Sequence, residues 1–368
     1  MKVALVHDYL LRMGGAERVL LELAKLYPEA PIYTLLCDKQ KIFPFFPKAE
    51  IRTSFLQKFP GFIKKNHKYL LPFLPVAAET FDLRDFDVVI SSSSAFVKSI
   101  ITRPGTVHIS YCHAPSRFLW DWTHHYLNKQ EIGPIRRILA NLLVHYLRLW
   151  DKSSAKRIDY FLANSKATRD KIKKYYRQEA FVIYPPVALP LWPEFLQAED
   201  KNYFLIISQL TPYKRIDLAI SAFNKLKLPL VIIGDGPEID KLRKLAASHI
   251  KILGWQNDEI KKEYLKNCTA FILPGEEDFG IAAVEAMGWG KPVLAFRAGG
   301  ACETVIEGVT GEFFSDPTPE ILADGVRRLR ENLGRYSALV IRKWAEKFSE
   351  ERFRREIMDF MGKRGYNK

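Results

Sequence analysis

The sequence predicts an α/β protein built from two doubly wound, Rossmann-like parallel-sheet domains. Short apolar runs alternate with amphipathic helical segments, as they do when helices cover both faces of a parallel sheet. The series stops in the proline-rich, acidic stretch 185–201 and then restarts, which marks a linker between two similar halves. The chain has 368 residues, too many for one ordinary core and suited to two. The expected domains are 1–187 and 188–349.

In the first half, Val3 to Val6 reads as a strand, His7 to Gly15 as a loop and Ala16 to Tyr27 as a helix. Leu20, Leu21, Leu23, Ala24 and Leu26 supply that helix's apolar face. Gly14 and Gly15 let the backbone approach a ligand closely at the helix start; a plain tight turn is the other reading. The spacing is not G-x-G-x-x-G, so a nicotinamide dinucleotide site has no support.

Residues 59–75 mix Lys64, Lys65 and Lys68 with Phe59, Phe62, Tyr69, Leu70, Leu71 and Phe73. Two readings are open: contact with an anionic membrane surface, or a loop and short helix packed on the domain. Asp87 to Ile90 form a strand running into Ser91 to Ser94. Asp85 and Asp87 make a D-x-D string ahead of that strand, whereas ligands of open α/β sheets gather at the far end. A metal role is discounted. Val107 to Tyr111 lead into Cys112-His113-Ala114-Pro115, which puts His113 at a strand end before a proline turn. Residues 117–126 are rich in tryptophan and histidine. Ile135 to Trp150 read as an amphipathic helix that serves the core rather than a membrane. Asp159 to Asn164, a helix from Lys166 and Phe181 to Tyr184 complete the half.

The second half has strands at Tyr203 to Ser208, Leu230 to Gly234, Ile250 to Leu253, Ala270 to Leu273 and Val293 to Phe296. Thr211 to Arg215, with Lys214 and Arg215, joins the first of them to its helix. Gly234-Asp235-Gly236-Pro237 is a βα turn that suits a nucleotide wall, and Leu253-Gly254-Trp255 is a second; both also fit simple turn chemistry. The densest stretch is Leu273 to Ala301. Glu277 lies in a loop, a helix starts near Gly280, and Glu285 follows eight positions after Glu277, able to point toward the same crevice. Between them the amides of Phe279, Gly280 and Ile281 are helix-start donors backed by the helix dipole. Two carboxylates beside anion-binding amides suit a sugar carried on a phosphate.

At these residues the chain resembles a known family. Glu277 to Met287 looks like the E-x7-E motif of retaining glycosyltransferases of family four, the group one glycosyl transferases, which have the GT-B fold. The E-D-F-G-I form, followed by G-K-P-V and A-G-G-x-x-E, is similar to bacterial GDP-mannose-dependent mannosyltransferases of surface polysaccharide synthesis. The resemblance covers essentially the whole chain. It implies two domains facing across a cleft, with the C-terminal helix at 350–368 packing back onto the first and residues 117–126 forming an acceptor wall. It implies a nucleotide-diphosphate sugar as donor, with no metal required. It implies an oligosaccharide or lipid-diphosphate-linked acceptor. Lys214, with Arg215 and the Gly280 amides, would stabilise the leaving diphosphate. Glu277 would orient sugar hydroxyls and Glu285 hold the ribose, with His113 on the sugar side and Gly14 and Gly15 facing donor or acceptor. The Trp255 stretch resembles the one that contacts the base. Gln209 stands where the family usually carries arginine, so Lys214 is expected to carry more of the charge. Retention would follow from front-face attack, the leaving phosphate accepting the acceptor's proton. A UDP-sugar is the alternative donor.

Composition narrows the rest. Hydrophobic residues make up 48% and charged residues 27%, as in soluble globular proteins, and no apolar run is long enough to span a bilayer. Met1-Lys2-Val3 enters a strand at once rather than a signal peptide. Cys37, Cys112, Cys268 and Cys302 are widely spaced, as buried free thiols of a reducing cytoplasm would be. The expected location is therefore cytoplasmic, or peripheral on the inner face of the cell membrane. A net charge of +14 calls for an anionic partner such as a nucleotide, lipid diphosphate or acidic membrane. Nucleic acid is the alternative, but no nucleic-acid motif is present and the lysines are scattered rather than striped.

Overall fold

The computed structural model describes residues 1–61, 70–123 and 133–366. They divide into two units, Met1–Tyr184 with Phe353–Lys368, and Pro185–Arg352.

Unit 1 is a seven-stranded parallel sheet. Its strands are β1 (Val3–Leu10), β2 (Ile32–Cys37), β3 (Ile51–Thr53), β4 (Val88–Ser93), β5 (Val107–Cys112), β6 (Tyr160–Ala163) and β7 (Ala180–Val182), in the order β3-β2-β1-β4-β5-β6-β7. One face packs on helix α1 (Gly15–Leu26) and on Phe353, Ile357, Phe360 and Met361 of the last helix, α8 (Glu350–Gly362). The other face is covered by α2 (Leu74–Glu79) and by Leu147 of α3 (Pro134–Ser154). Buried Glu22 of α1 pairs with Arg354 of α8, a contact of opposite charges 332 residues apart in sequence.

The first strand runs four residues beyond the expected Val6. His7, Tyr9 and Leu10 pair with Thr34, Leu36 and Cys37, because β2 lies parallel beside them and takes up their backbone groups. Helix α4 (Lys166–Tyr176) starts as expected, with the Ser165 side chain accepting from Thr168 N.

Helix α3 corrects another expectation. It is amphipathic, but only part of its apolar surface is spent on the core: Leu147 is buried with Leu143, Val144 and Trp150 packed beside it, whereas Ile135, Ile138, Leu139, Leu142, Tyr146 and Leu149 are exposed. Of the segment 59–75, residues 62–69 lie outside the described residues, Lys64, Lys65 and Lys68 among them. His124 to Tyr126 of the tryptophan-rich segment do so too.

Unit 2 repeats the plan with six parallel strands, β8 (Phe204–Ile207), β9 (Leu230–Ile233), β10 (Ile250–Gly254), β11 (Ala270–Leu273), β12 (Val293–Phe296) and β13 (Gly311–Phe314). The order is β10-β9-β8-β11-β12-β13. Helices α5 (Ile216–Leu226), α6 (Ile281–Gly288) and α7 (Pro319–Glu331) follow β8, β11 and β13.

Residues 185–201 are not a free linker but part of unit 2. Val187 is buried and its amide donates to Phe348 O at 2.9 Å. Arg342 donates to Pro190 O at 2.8 Å, and Arg352 to Pro185 O at 3.1 Å. The unit boundaries, Tyr184/Pro185 and Arg352/Phe353, fall within three residues of the expected 187/188 and 349/350. Cys302, in the short helical turn Ala301–Thr304, is exposed, unlike the buried Cys37, Cys112 and Cys268.

Candidate active site

In a doubly wound sheet, ligands bind beyond the carboxyl ends of the strands, where the chain switches from winding one way to the other. Strand order places that point between β8 and β11 in unit 2 and between β1 and β4 in unit 1. The candidate residues collect at both points.

In unit 2 the loop after β8 carries Lys214 and the loop after β11 carries Glu277. The Lys214 ammonium pairs directly with Glu277 Oε1, both side chains largely buried. The Tyr213 ring lies 5.0 Å from the ammonium and adds cation–π attraction. The two loops touch so closely that glycines are required. A Cβ on Gly275 would meet Tyr213 O at 2.7 Å. The Glu277 loop is tied on its other side as well: Gly300 N donates to Glu277 O at 2.8 Å, and a Cβ there would lie 2.4 Å from Asp278 O. Arg215 sits in the left-handed region, φ 53°, and its guanidinium reaches Asp217 at 3.7 Å and Pro317 O at 3.3 Å rather than Glu277.

Gly280 is the N-cap of α6, with φ 91°, so the chain turns there into the helix. The first helix bonds run from Ala283 and Val284 N to Gly280 O, at 3.0 and 3.3 Å. The amides of Ile281 and Ala282 therefore precede the hydrogen-bonded turn and sit at the positive end of the dipole. Phe279 contributes backbone only. Its ring is buried edge-on against Phe348, 5.4 Å between centroids. Glu285 is half-buried one turn into α6.

Gly234 ends β9 and serves its neighbour. A Cβ on it would meet Ser208 O at 1.8 Å, and one on Gly236 would meet Leu210 O at 2.5 Å. Together they seat the Ser208–Leu210 loop, which holds Gln209 exposed at its tip. Trp255, after β10, is 67% exposed. It stands two strands from the switch point and the structure does not bring it against Lys214 or Glu277.

In unit 1 a chain of polar groups crosses the switch point. His7 of β1 and Ser92 of β4 are paired in the register, and His7 Nδ1 lies 3.1 Å from Ser92 Oγ. Ser92 Oγ lies 2.8 Å from Nε2 of His113, at the end of β5. Glu17 Oε1 is 3.6 Å from His7 Nε2. The Ser92 hydroxyl therefore bridges the two imidazoles, with the Glu17 carboxylate beside the first.

Gly14 has an extended backbone, φ −149°, so it needs no glycine for its torsion. Its missing Cβ makes room for Glu17, whose carboxylate lies 2.9 Å from where a Cβ would be. Gly15 opens α1. Asp8, 5% exposed, accepts from the amides of Ser94, Ala95, Phe96 and Val97 at 2.6 to 2.9 Å and fixes the loop after β4. Sequence reading missed His7, Asp8, Glu17 and Ser92. Only the β1–β4 register, which the chain does not spell out locally, brings them together. Asp85 and Asp87 lie at the opposite, amino end of β4. Asp87 accepts from Lys2 N at 2.8 Å and faces Arg103 at 4.0 Å.

Two family models match the chain. Glycosyltransferase family 4 covers residues 13–189, and glycosyl transferases group 1 covers 192–343. The chain belongs to the family-four, group-one glycosyltransferases. Among relatives, this glycosyltransferase is 29% identical over 217 residues to an uncharacterised glycosyltransferase of Methanocaldococcus jannaschii, a match spanning 56% of this chain and 60% of that one. It is 25% identical over 374 residues to the alpha-1,3/1,6-mannosyltransferase ALG2 of Candida glabrata, covering 83% of this chain and 78% of that one. Among solved structures, HepE of Anabaena in complex with UDP and glucose aligns with a TM-score of 0.72. The match covers 98% of this chain and 99% of that one at 18% identity. Sucrose-phosphate synthase of Thermosynechococcus elongatus aligns at a TM-score of 0.70 and 14% identity, covering 99% of each chain. At these identities the likeness is one of fold, and the fold is GT-B, two Rossmann-like parallel-sheet halves.

Proposed function

We propose that this glycosyltransferase is a retaining, metal-independent mannosyltransferase that takes mannose from GDP-mannose. The acceptor is an oligosaccharide or a lipid-linked diphosphate of surface polysaccharide synthesis. The observation that carries the reading is the Lys214–Glu277 pair, held at the switch point of unit 2 beside the start of α6. The preference for mannose rests on the ALG2 relatives, matched over most of this chain.

In the proposed reaction, the donor's diphosphate displaces the Glu277 carboxylate from Lys214. The ammonium then faces phosphate oxygens together with Arg215 and the Ile281 and Ala282 amides, and neutralises the charge that builds as the nucleotide leaves. Glu277, released, accepts from sugar hydroxyls, and Glu285 holds the ribose. His113 lines the sugar side. The acceptor oxygen attacks C1 from the face the diphosphate leaves. The C1–O bond to phosphate breaks, the new glycosidic bond forms, and the acceptor's proton passes to the departing phosphate oxygen.

A UDP-sugar is the second reading, favoured by the UDP and glucose bound to the HepE neighbour. Melting curves with GDP, UDP, ADP and their sugars in EDTA separate the two, since a ligand of the native state raises the midpoint. The largest rise with GDP and GDP-mannose is expected. A rise with the uridine compounds alone replaces the donor, and none with any nucleotide removes the reading.

A further inference from the structure

Helix α3 has more apolar surface than the fold uses. Leu143, Val144, Leu147 and Trp150 pack into unit 1, and Asp151 is buried against Lys98. A second stripe, Ile135, Ile138, Leu139, Leu142, Tyr146 and Leu149, is 59% to 73% exposed. At 3.6 residues per turn those six side chains fall within about 100° of arc and run about 21 Å along the helix. The first two turns stand clear of the body, with every residue from Gly133 to Leu139 exposed.

The charge around the stripe has one sign. Arg136, Arg137 and Lys152 are exposed, whereas the helix's one acidic residue, Asp151, is buried. The neighbouring helix α2 is tied to α3 by Trp150 Nε1, which donates to Glu79 Oε1 at 3.0 Å. It leaves Val76 exposed, as is Phe73 just before it.

We propose that α3 lies in the headgroup layer of an anionic membrane, with its exposed stripe in the acyl boundary and its arginines and Lys152 on lipid phosphates. An apolar stripe bordered by cations is what such a layer binds, through buried apolar area and attraction to anionic lipid together. A second copy of the chain answers only half of this surface, because a symmetric pairing sets the cations against one another with no exposed carboxylate on α3 to meet them. No described helix is long and apolar enough to cross a membrane, so the contact is peripheral. The inference extends the proposal of a lipid-borne acceptor, but it stands on the helix surface and is read without turnover.

The test is flotation of the full chain with vesicles of phosphatidylcholine alone, or with about one third phosphatidylglycerol. Three variants are compared: Ile138→Gln/Leu142→Gln/Tyr146→Gln, Arg136→Glu/Arg137→Glu/Lys152→Glu, and Lys64→Glu/Lys65→Glu/Lys68→Glu. The wild type is expected on anionic vesicles and not on neutral ones. The two α3 variants should weaken that binding by at least about tenfold, each lost cation near the surface being worth roughly fivefold. Their melting midpoints should match the wild type, since the replaced side chains are exposed; if one fails to fold, the other decides. The proposal is overturned if the wild type floats with neither vesicle, or if the α3 variants bind like the wild type. It is overturned too if binding falls only in the Lys64/Lys65/Lys68 variant, or if the stripe proves to hold two chains together with no lipid bound. A negative outcome leaves the nucleotide-binding proposal untouched, because no variant alters a residue assigned to it.

Discussion

At the scale of single residues, Lys214 and Glu277 of unit 2 neutralise each other. In the proposed reaction, a diphosphate exchanges that ion pair for contacts to phosphate and sugar. Lys214→Ala should lower turnover about a hundredfold or more, the scale for losing one preorganised transition-state donor. Glu277→Gln should also cut turnover strongly, yet leave GDP affinity equal or higher, because it removes the anion that competes for Lys214. The double variant should fall short of the product of the single effects, since the two side chains touch. Near-normal turnover of Glu277→Gln with the true acceptor would remove Glu277 from the site. In unit 1, Ser92→Ala should lower kcat without changing nucleotide affinity. The loss should be smaller than the roughly 10²- to 10⁴-fold for removing a general acid–base group, and Ser92→Thr should restore it. A loss that Thr does not restore would make the hydroxyl structural.

At the scale of elements, the sites depend on backbone packing that only glycine allows. Gly234→Ala combines φ 148° with an overlap against Ser208 O. It should cost more than about 2 kcal/mol of unfolding free energy and displace the Ser208–Leu210 loop. A denaturant midpoint within error of the wild type would contradict that. The sequence made the second half legible because β8, β9, β11 and β12 are short apolar runs followed by helix signals. It hid β13, where Glu312 interrupts the pattern. Glu312 is buried because Tyr336 and Arg328 donate to it at 2.6 and 3.0 Å, partners that arrive from later in the chain. β3 has three residues, too few to show a period, and β2 is an apolar run that periodicity alone does not separate from a helix. The amphipathic character of α3 was plain, but which stripe the core would take was not, since that depends on how the helix lies on the sheet.

At the scale of the whole molecule, two units of one plan each carry candidate residues at a switch point, and the glutamate motif, Lys214 and His113 could be picked out as candidates from the sequence through its family resemblance. The polar chain from Glu17 to His113 could not. Stability of the whole should depend on pH through buried His108, whose pKa burial and the Arg157 charge push down to about 3. Unfolded, the imidazole binds a proton below about 6.5. Its contribution is therefore complete above that pH and is lost as pH falls from about 6.5 toward 3, because the unfolded state then binds the extra proton. His108→Gln should flatten the acid limb of melting temperature against pH, and an unchanged limb would assign the loss to other groups. The central claim is that Lys214 at the unit 2 switch point, and not a metal ion, takes the donor's diphosphate. Calorimetric titration of GDP into the wild type and Lys214→Ala, both in EDTA, tests it most directly. Binding to the wild type without metal is expected, with a loss of at least about tenfold in the variant, the size of one charge-assisted contact. Binding that needs magnesium or manganese, or equal affinity in the two proteins, would contradict it.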